Sequence, residues 1–194
     1  MVRSIAQFSE RDAGEKISAE EFATAEMKPP FRYERVKGRL VVMSPAGREH
    51  RHVSRPFRRA LGFYWGRNPE VVHDVDIEGW VKICEETDRI PDICVYLFHP
   101  DRQEEEVPRR VPDLIFEFVS SHRGDQERDY IDKRAEFHAI GVREYVIVDR
   151  FKQSTLQLTW QKDDFAERVF SATEAYSTPL LPGLQIPLAE AFAE

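Results

Sequence analysis

A chain of 194 residues with 41% hydrophobic and 11% aromatic content is long enough to bury a substantial core as one domain without disulfides or a structural metal. Its formal net charge of −7 excludes indiscriminate coating of nucleic acid, which needs an overall basic surface that releases counterions, yet allows a local basic groove. The opening MVRSIAQFSERDAGEK lacks a signal peptide's apolar core and no later stretch approaches the ~20 apolar residues of a membrane span, so a soluble, cytoplasmic protein is expected. Cys84 and Cys94 lack metal-ligand spacing and read as buried thiols in a reducing compartment.

Residues 1 to 16 are polar and predict a flexible tail before a single domain spanning 17 to 194. Ser18-Ala19-Glu20-Glu21 is a capping box that starts a helix. Residues 32 to 36 and 39 to 43 form a hairpin turned at Lys37-Gly38. A helix follows over 51 to 65, with Val53, Phe57, Ala60, Leu61 and Tyr64 at helical spacing; Pro56 predicts a regular start near Ser54 or a kink. Strands near 71 to 77 and 80 to 84 precede two acid-bearing strands and a charged connection, HPDRQEEEVPRR. A helix from about 126 to 140 stops at Gly141, and strands over 144 to 148, 155 to 161 and 167 to 171 complete an α/β fold with a mixed sheet. The piece from 113 to 148 predicts a right-handed parallel crossover.

The acid-bearing strands carry the chemical signal. Pro91-Asp92-Ile93-Cys94-Val95-Tyr96-Leu97 opens on an Asp, and Asp113-Leu114-Ile115-Phe116-Glu117-Phe118-Val119 holds a Glu at its centre. A carboxylate among Val, Ile and Phe is expensive unless it is neutralised, paired or bound to a metal. Symmetric antiparallel pairing brings residue 92 opposite 117 or 118, with Cβ atoms about 5 Å apart, a separation at which two carboxylates can share one divalent ion. Asp113 lies some 13 Å along the strand from Glu117. It suits a structural hydrogen bond, or a second-metal or water role.

Helical geometry puts Lys133 among Tyr130, Phe137 and Ile140, pointing toward the sheet; the alternative is an exposed i,i+4 pair with Asp129. An Asp, a Glu and a Lys converging in a cleft are the parts of metal-dependent phosphodiester hydrolysis. An all-oxygen donor set favours Mg²⁺, with Mn²⁺ as a substitute, over Zn²⁺.

The runs RYERVKGRLVVMSPAGREH, IPDICVY, VPDLIFEFVSS, DKRAEFHAIGVREYVIVD and LLPGLQIPLAEAF together resemble, in order, the Uma-two family of restriction-endonuclease-like proteins within the PD-(D/E)XK nuclease superfamily. The resemblance covers about residues 17 to 192. It implies a restriction endonuclease-like αβββαβ core with a mixed central sheet flanked by helices, Asp92 and Glu117 as metal ligands, and the lysine displaced from position 119 to Lys133. It also implies a homodimer and an early glutamate, Glu34, as an auxiliary metal or water ligand; the plain reading of Glu34 is an exposed hairpin carboxylate. The family's Ser-Pro-Ser turn after the glutamate is replaced here by Ser120-Ser121-His122.

Arg51, Arg55 and Arg58 fall on one side of the 51 to 65 helix, with Arg48 and Arg59 nearby. They are phosphate contacts or a solvated face. His50 and His52, two apart, cannot share a ligand on a helix; His50 is a candidate substrate contact. Tyr64, Trp65 and Trp80 suit either core or interface. No G-x-S-x-G, Cys/His pair or Gly-rich phosphate loop is present, so no organic cofactor is expected. The leading expectation is a Mg²⁺-dependent endonuclease acting on DNA, and the alternative a catalytically inactive dimeric nucleic-acid-binding or accessory module.

Overall fold

The computed structural model describes residues 7–99, 109–120, 128–161 and 164–193. Most of the charged connection, the segment 121–127 with the expected helix start, and the first six residues lie outside them. In chain order the elements are β1 (Gln7–Phe8), α1 (Ala19–Thr24), β2 (Glu26–Met27), β3 (Arg32–Val36), β4 (Arg39–Met43), α2 (Arg48–Arg67), β5 (Val72–Ile77), β6 (Val81–Cys84), β7 (Thr87–Arg89), β8 (Ile93–Leu97) and β9 (Leu114–Phe118). There follow α3 (Lys133–Ala139), β10 (Glu144–Asp149), β11 (Ser154–Gln161), β12 (Asp164–Ser171), β13 (Ala175–Tyr176), β14 (Ile186–Pro187) and α4 (Ala189–Phe192).

Six strands make the central sheet in the order β12-β11-β10-β9-β8-β5. Only the β9–β10 pair is parallel, joined across α3, and every other neighbour is antiparallel. From α2 onward the elements contributing to this layer run α2, β5, β8, β9, α3, β10, an αβββαβ order. The sheet is covered on both faces, and the strand period of two sorts its residues. Leu114, Phe116 and Phe118 pack with Phe57 and Leu61 of α2. Ile115 and Val119 pack with Phe137 of α3. Glu117, odd-numbered in β9, therefore faces α3.

A second, four-stranded sheet, β4-β3-β7-β6, comes from the hairpin and from residues 81 to 89. The strand expected near 80 to 84 belongs to this sheet and not to the central one. Its short partner β7 escapes a periodicity reading because Thr-Asp-Arg carries no apolar alternation, yet all three residues are buried. The hairpin turns at Lys37 and Gly38, both with positive φ, as a two-residue turn between twisted strands requires.

The structure differs from expectation in four local respects. Residues 7 to 16 are not a loose tail: β1 pairs with β2, Lys16 bridges Arg39, and Phe8 is buried beside Tyr33 and Phe22. One aromatic anchor outweighs the polarity around it. Helix α2 starts earlier than expected and runs through Pro56; Val53 and Phe57, on either side of the proline, bury in one cluster, which offsets the lost hydrogen bond. The helix before Gly141 opens as a π-helical turn, Arg128–Asp132, where Tyr145 Oη donates to the Asp129 carbonyl at 2.9 Å. Cys84, at the end of β6, is exposed, whereas Cys94 is buried.

Phe57 is fully buried and lies edge-on or tilted against Phe116, Phe118 and Tyr176. Phe57→Ala should lower stability by about 3–5 kcal/mol, measured as a fall in the urea midpoint with an unchanged slope.

Candidate active site

Asp92 immediately precedes β8 and Glu117 is the fourth residue of β9. The register pairs Ile93 with Phe116 and Cys94 with Ile115, so one further step places Asp92 opposite Glu117. Both open, with Asp129 and Lys133, into a cavity of about 400 Å³ that Arg48, Glu49 and Arg150 also line, Arg150 donating to Glu49 at 3.2 Å.

Asp92 is held by three donors from three parts of the chain. Arg32 Nη1 donates to Oδ1 at 2.8 Å, the Phe118 N–H donates to Oδ2 at 2.9 Å, and His50 Nε2 lies 3.1 Å from Oδ2. Burial alone would raise the Asp92 pKa. The His50 hydrogen bond and charge, then Arg32 and the Phe118 N–H, outweigh it and hold the carboxyl well below the usual range. An ionised carboxylate only accepts, so Nε2 carries the His50 proton. Arg32 also lies 3.5 Å from Glu78.

Glu117 behaves oppositely. Lys133 Nζ donates to its Oε1 at 2.6 Å and lies 3.0 Å from Asp129 Oδ1. Burial pushes the Glu117 carboxyl well above the usual range; Lys133 opposes this, while Asp92 and Asp129 add to it. Two readings of Lys133 thus hold together, since the i,i+4 pair with Asp129 exists but is buried and shared with the sheet.

Glu34 is neither an exposed carboxylate nor part of the cavity lining. It is fully buried, accepts from Arg89 Nη1 at 2.9 Å and from the Ile90 N–H at 3.1 Å. Arg89, itself fully buried, also grips Glu136 of α3 with two hydrogen bonds, at 2.7 and 2.8 Å. The expectation of an exposed hairpin carboxylate is thereby corrected: in this structure the carboxylate fixes the backbone two residues before Asp92 and, through Arg89, the helix three residues after Lys133.

The remaining expected residues separate. His52 turns away to the Ala193 carbonyl at 3.0 Å. Arg51 and Arg58 line a second cavity that shares Arg32, His50 and Asp92 with the first, and Arg55 lines neither. Asp113 serves the far end of β9, accepting from the Leu97 N–H and lying 2.9 Å from His99. Tyr64 is buried, Trp65 packs on the same core, and Trp80 meets Phe22. Sequence reasoning missed Arg32, Arg89 and Glu136; the only hint was that Arg32 and Glu34 share one face of a strand.

The protein-family model described as Uma2, putative restriction endonuclease, matches residues 19–189. The chain belongs to the Uma2 family. A crystal structure of a putative nuclease belonging to DUF820 from Anabaena variabilis superposes with a TM-score of 0.70 at 14% identity, covering 91% of this chain and 98% of that one. At that identity the likeness shows the nuclease-like fold alone. None of the curated proteins matches. Within this Uma2 chain the hard oxygen donors of Asp92 and Glu117 fit a divalent ion. Among the described residues no group of three His, Cys, Asp or Glu is arranged around a metal, and Mg²⁺ is commonly held by one or two carboxylates, with water and substrate phosphate completing its shell.

Two outcomes follow for stability. Arg89→Met leaves the buried Glu34 without its cation and should lower stability by about 3–5 kcal/mol, with part recovered in Arg89→Met/Glu34→Gln; chemical denaturation of the four proteins of that cycle measures it. For Glu117, the raised folded pKa means that the folded state keeps a proton the unfolded state releases, so its contribution falls as pH rises above the usual Glu range. In EDTA, Glu117→Gln should therefore raise Tm at pH 8 and change it less at pH 4.

Proposed function

We propose that this Uma2 protein is a Mg²⁺-dependent endonuclease that hydrolyses phosphodiester bonds in DNA. The observation that carries the reading is the pairing of Asp92 with Glu117 on adjacent strands, with Lys133 hydrogen-bonded to Glu117, at the floor of an open cavity.

Asp92 and Glu117 would hold the ion, which when bound lowers the pKa of a water and neutralises phosphate charge. The chain's own residues supply the rest. Arg32, His50 and the Phe118 N–H keep Asp92 ionised and aimed. Lys133, anchored by Glu117 and Asp129, presents an ammonium donor to the attacking water or to the charge that develops on the phosphate. Arg48 and Arg150, the latter paired with Glu49, line the same cavity and would offer positive charge to the incoming anion. Glu117 is a ligand only as the carboxylate, a form that a bound cation would itself favour.

A second reading, a binding module that does not cut, is favoured by one observation: Asp92, Glu117 and Asp129 already face protein cations. Nicking of supercoiled plasmid with Mg²⁺, Mn²⁺ or EDTA decides between them. Metal-dependent nicking that falls by about 100-fold or more in Asp92→Asn, Glu117→Gln and Lys133→Met, each shown folded by circular dichroism, supports the nuclease. DNA binding without nicking under any of these conditions supports the module.

A further inference from the structure

The cavity on the other side of Asp92 has no role in that chemistry. It holds about 270 Å³ and shares Arg32, Pro45, Ala46, His50, Asp92 and Phe118 with the first cavity. Arg51 and Arg58 line it from α2, and Pro30 and Ile77, the latter 48% exposed, supply apolar surface beside the carboxylate of Glu78.

The charges there are not equally committed. Arg32 is engaged by Asp92 and Glu78, and Arg51 donates to the Ala46 carbonyl at 2.6 Å. Arg58 is exposed and makes no hydrogen bond or ion pair with the described residues. An uncommitted guanidinium lining the same cavity as exposed apolar surface, in a chain of net charge −7, suits a ligand with an anionic end and a flat, weakly polar end. A nucleotide has that shape, and the shared lining would put it beside a phosphate held at Asp92 and Glu117.

We propose that this cavity is a subsite for the nucleotide adjoining the phosphate that is cut, with its own phosphate at Arg58 and Arg51 and its base against Ile77 and Pro30. The proposal rests on the nuclease reading for what lies in the first cavity. It assigns Arg58 and Ile77 to substrate binding rather than to the chemical step. Arg55 supplies an internal control, because it is exposed on the same helix yet lines neither cavity.

The test is fluorescence anisotropy of a labelled single strand and a duplex of about twelve nucleotides, in EDTA so that nothing is cut. Arg58→Ala should weaken binding about five- to tenfold and lower the salt slope by about one phosphate. Ile77→Ser should weaken it about threefold with the slope kept, and Arg55→Ala should match the wild type. With Mg²⁺, Arg58→Ala should raise KM and leave kcat. Equal effects of Arg55→Ala and Arg58→Ala, or no binding to either oligonucleotide, would overturn the subsite. Arg58-specific loss of binding in a protein that never cuts would support the subsite and overturn only the nuclease reading.

Discussion

A guanidinium with no access to water holds this site together. Arg89 lies between Glu34 of the small sheet and Glu136 of the helix, and three elements distant in sequence meet on it. Such a cation is stable only with its partners in place, since burying it unpaired costs several kcal/mol. Its planar fork fixes direction as well as charge, because the grip on Glu136 is bidentate. The same Glu34 that neutralises it also accepts the Ile90 N–H. The strand leading to Asp92 and the helix carrying Lys133 are therefore referred to one rigid group.

The electrostatics above that support are asymmetric. Asp92 receives three donors and stays ionised, whereas Glu117, with one lysine shared with Asp129, is left inclined to hold a proton. Two carboxylates that face each other cannot both ionise cheaply in a buried setting, and neighbouring donors decide which one does. The Asp92 charge is among the causes that raise Glu117, so a change at Arg32 or His50 that alters Asp92 reaches Glu117 as well.

The sequence makes some of this legible and hides the rest for a physical reason. Strand alternation and the symmetric connection between the acid-bearing strands place Asp92 opposite Glu117, and the helical wheel aims Lys133 at the sheet, because both arguments use only local periods of two and 3.6. The αβββαβ order follows from the same patterns and from the family resemblance. Arg32, Arg89 and Glu136 have no such signature. Their partners lie 47 to 60 residues away, and nothing in the spacing of a single chain says which arginine reaches which carboxylate. Glu34 shows the boundary well: its oddity in a strand is visible, but its role depends on a partner that is not. Phe8 shows it at the terminus, where one buried ring decides the fate of a polar segment.

Helix α2 joins the two levels of the molecule. Its buried face, through Phe57 and Leu61, packs against the even-numbered residues of β9, so the core sets its position. Its first turn then delivers His50 to Asp92, and its exposed face delivers Arg51 and Arg58 to the neighbouring cavity. The early start of the helix, upstream of Pro56, is what brings His50 within reach. Packing and site are thus coupled through one rigid element: a substitution that shifts α2 on the sheet moves the donor on Asp92 and the basic lining together, whereas the Lys133–Glu117 pair, held by α3 and Arg89 on the opposite face, stays in place. The donors on Asp92 and the basic lining beside it can therefore be shifted from one side of the sheet without moving the lysine on the other.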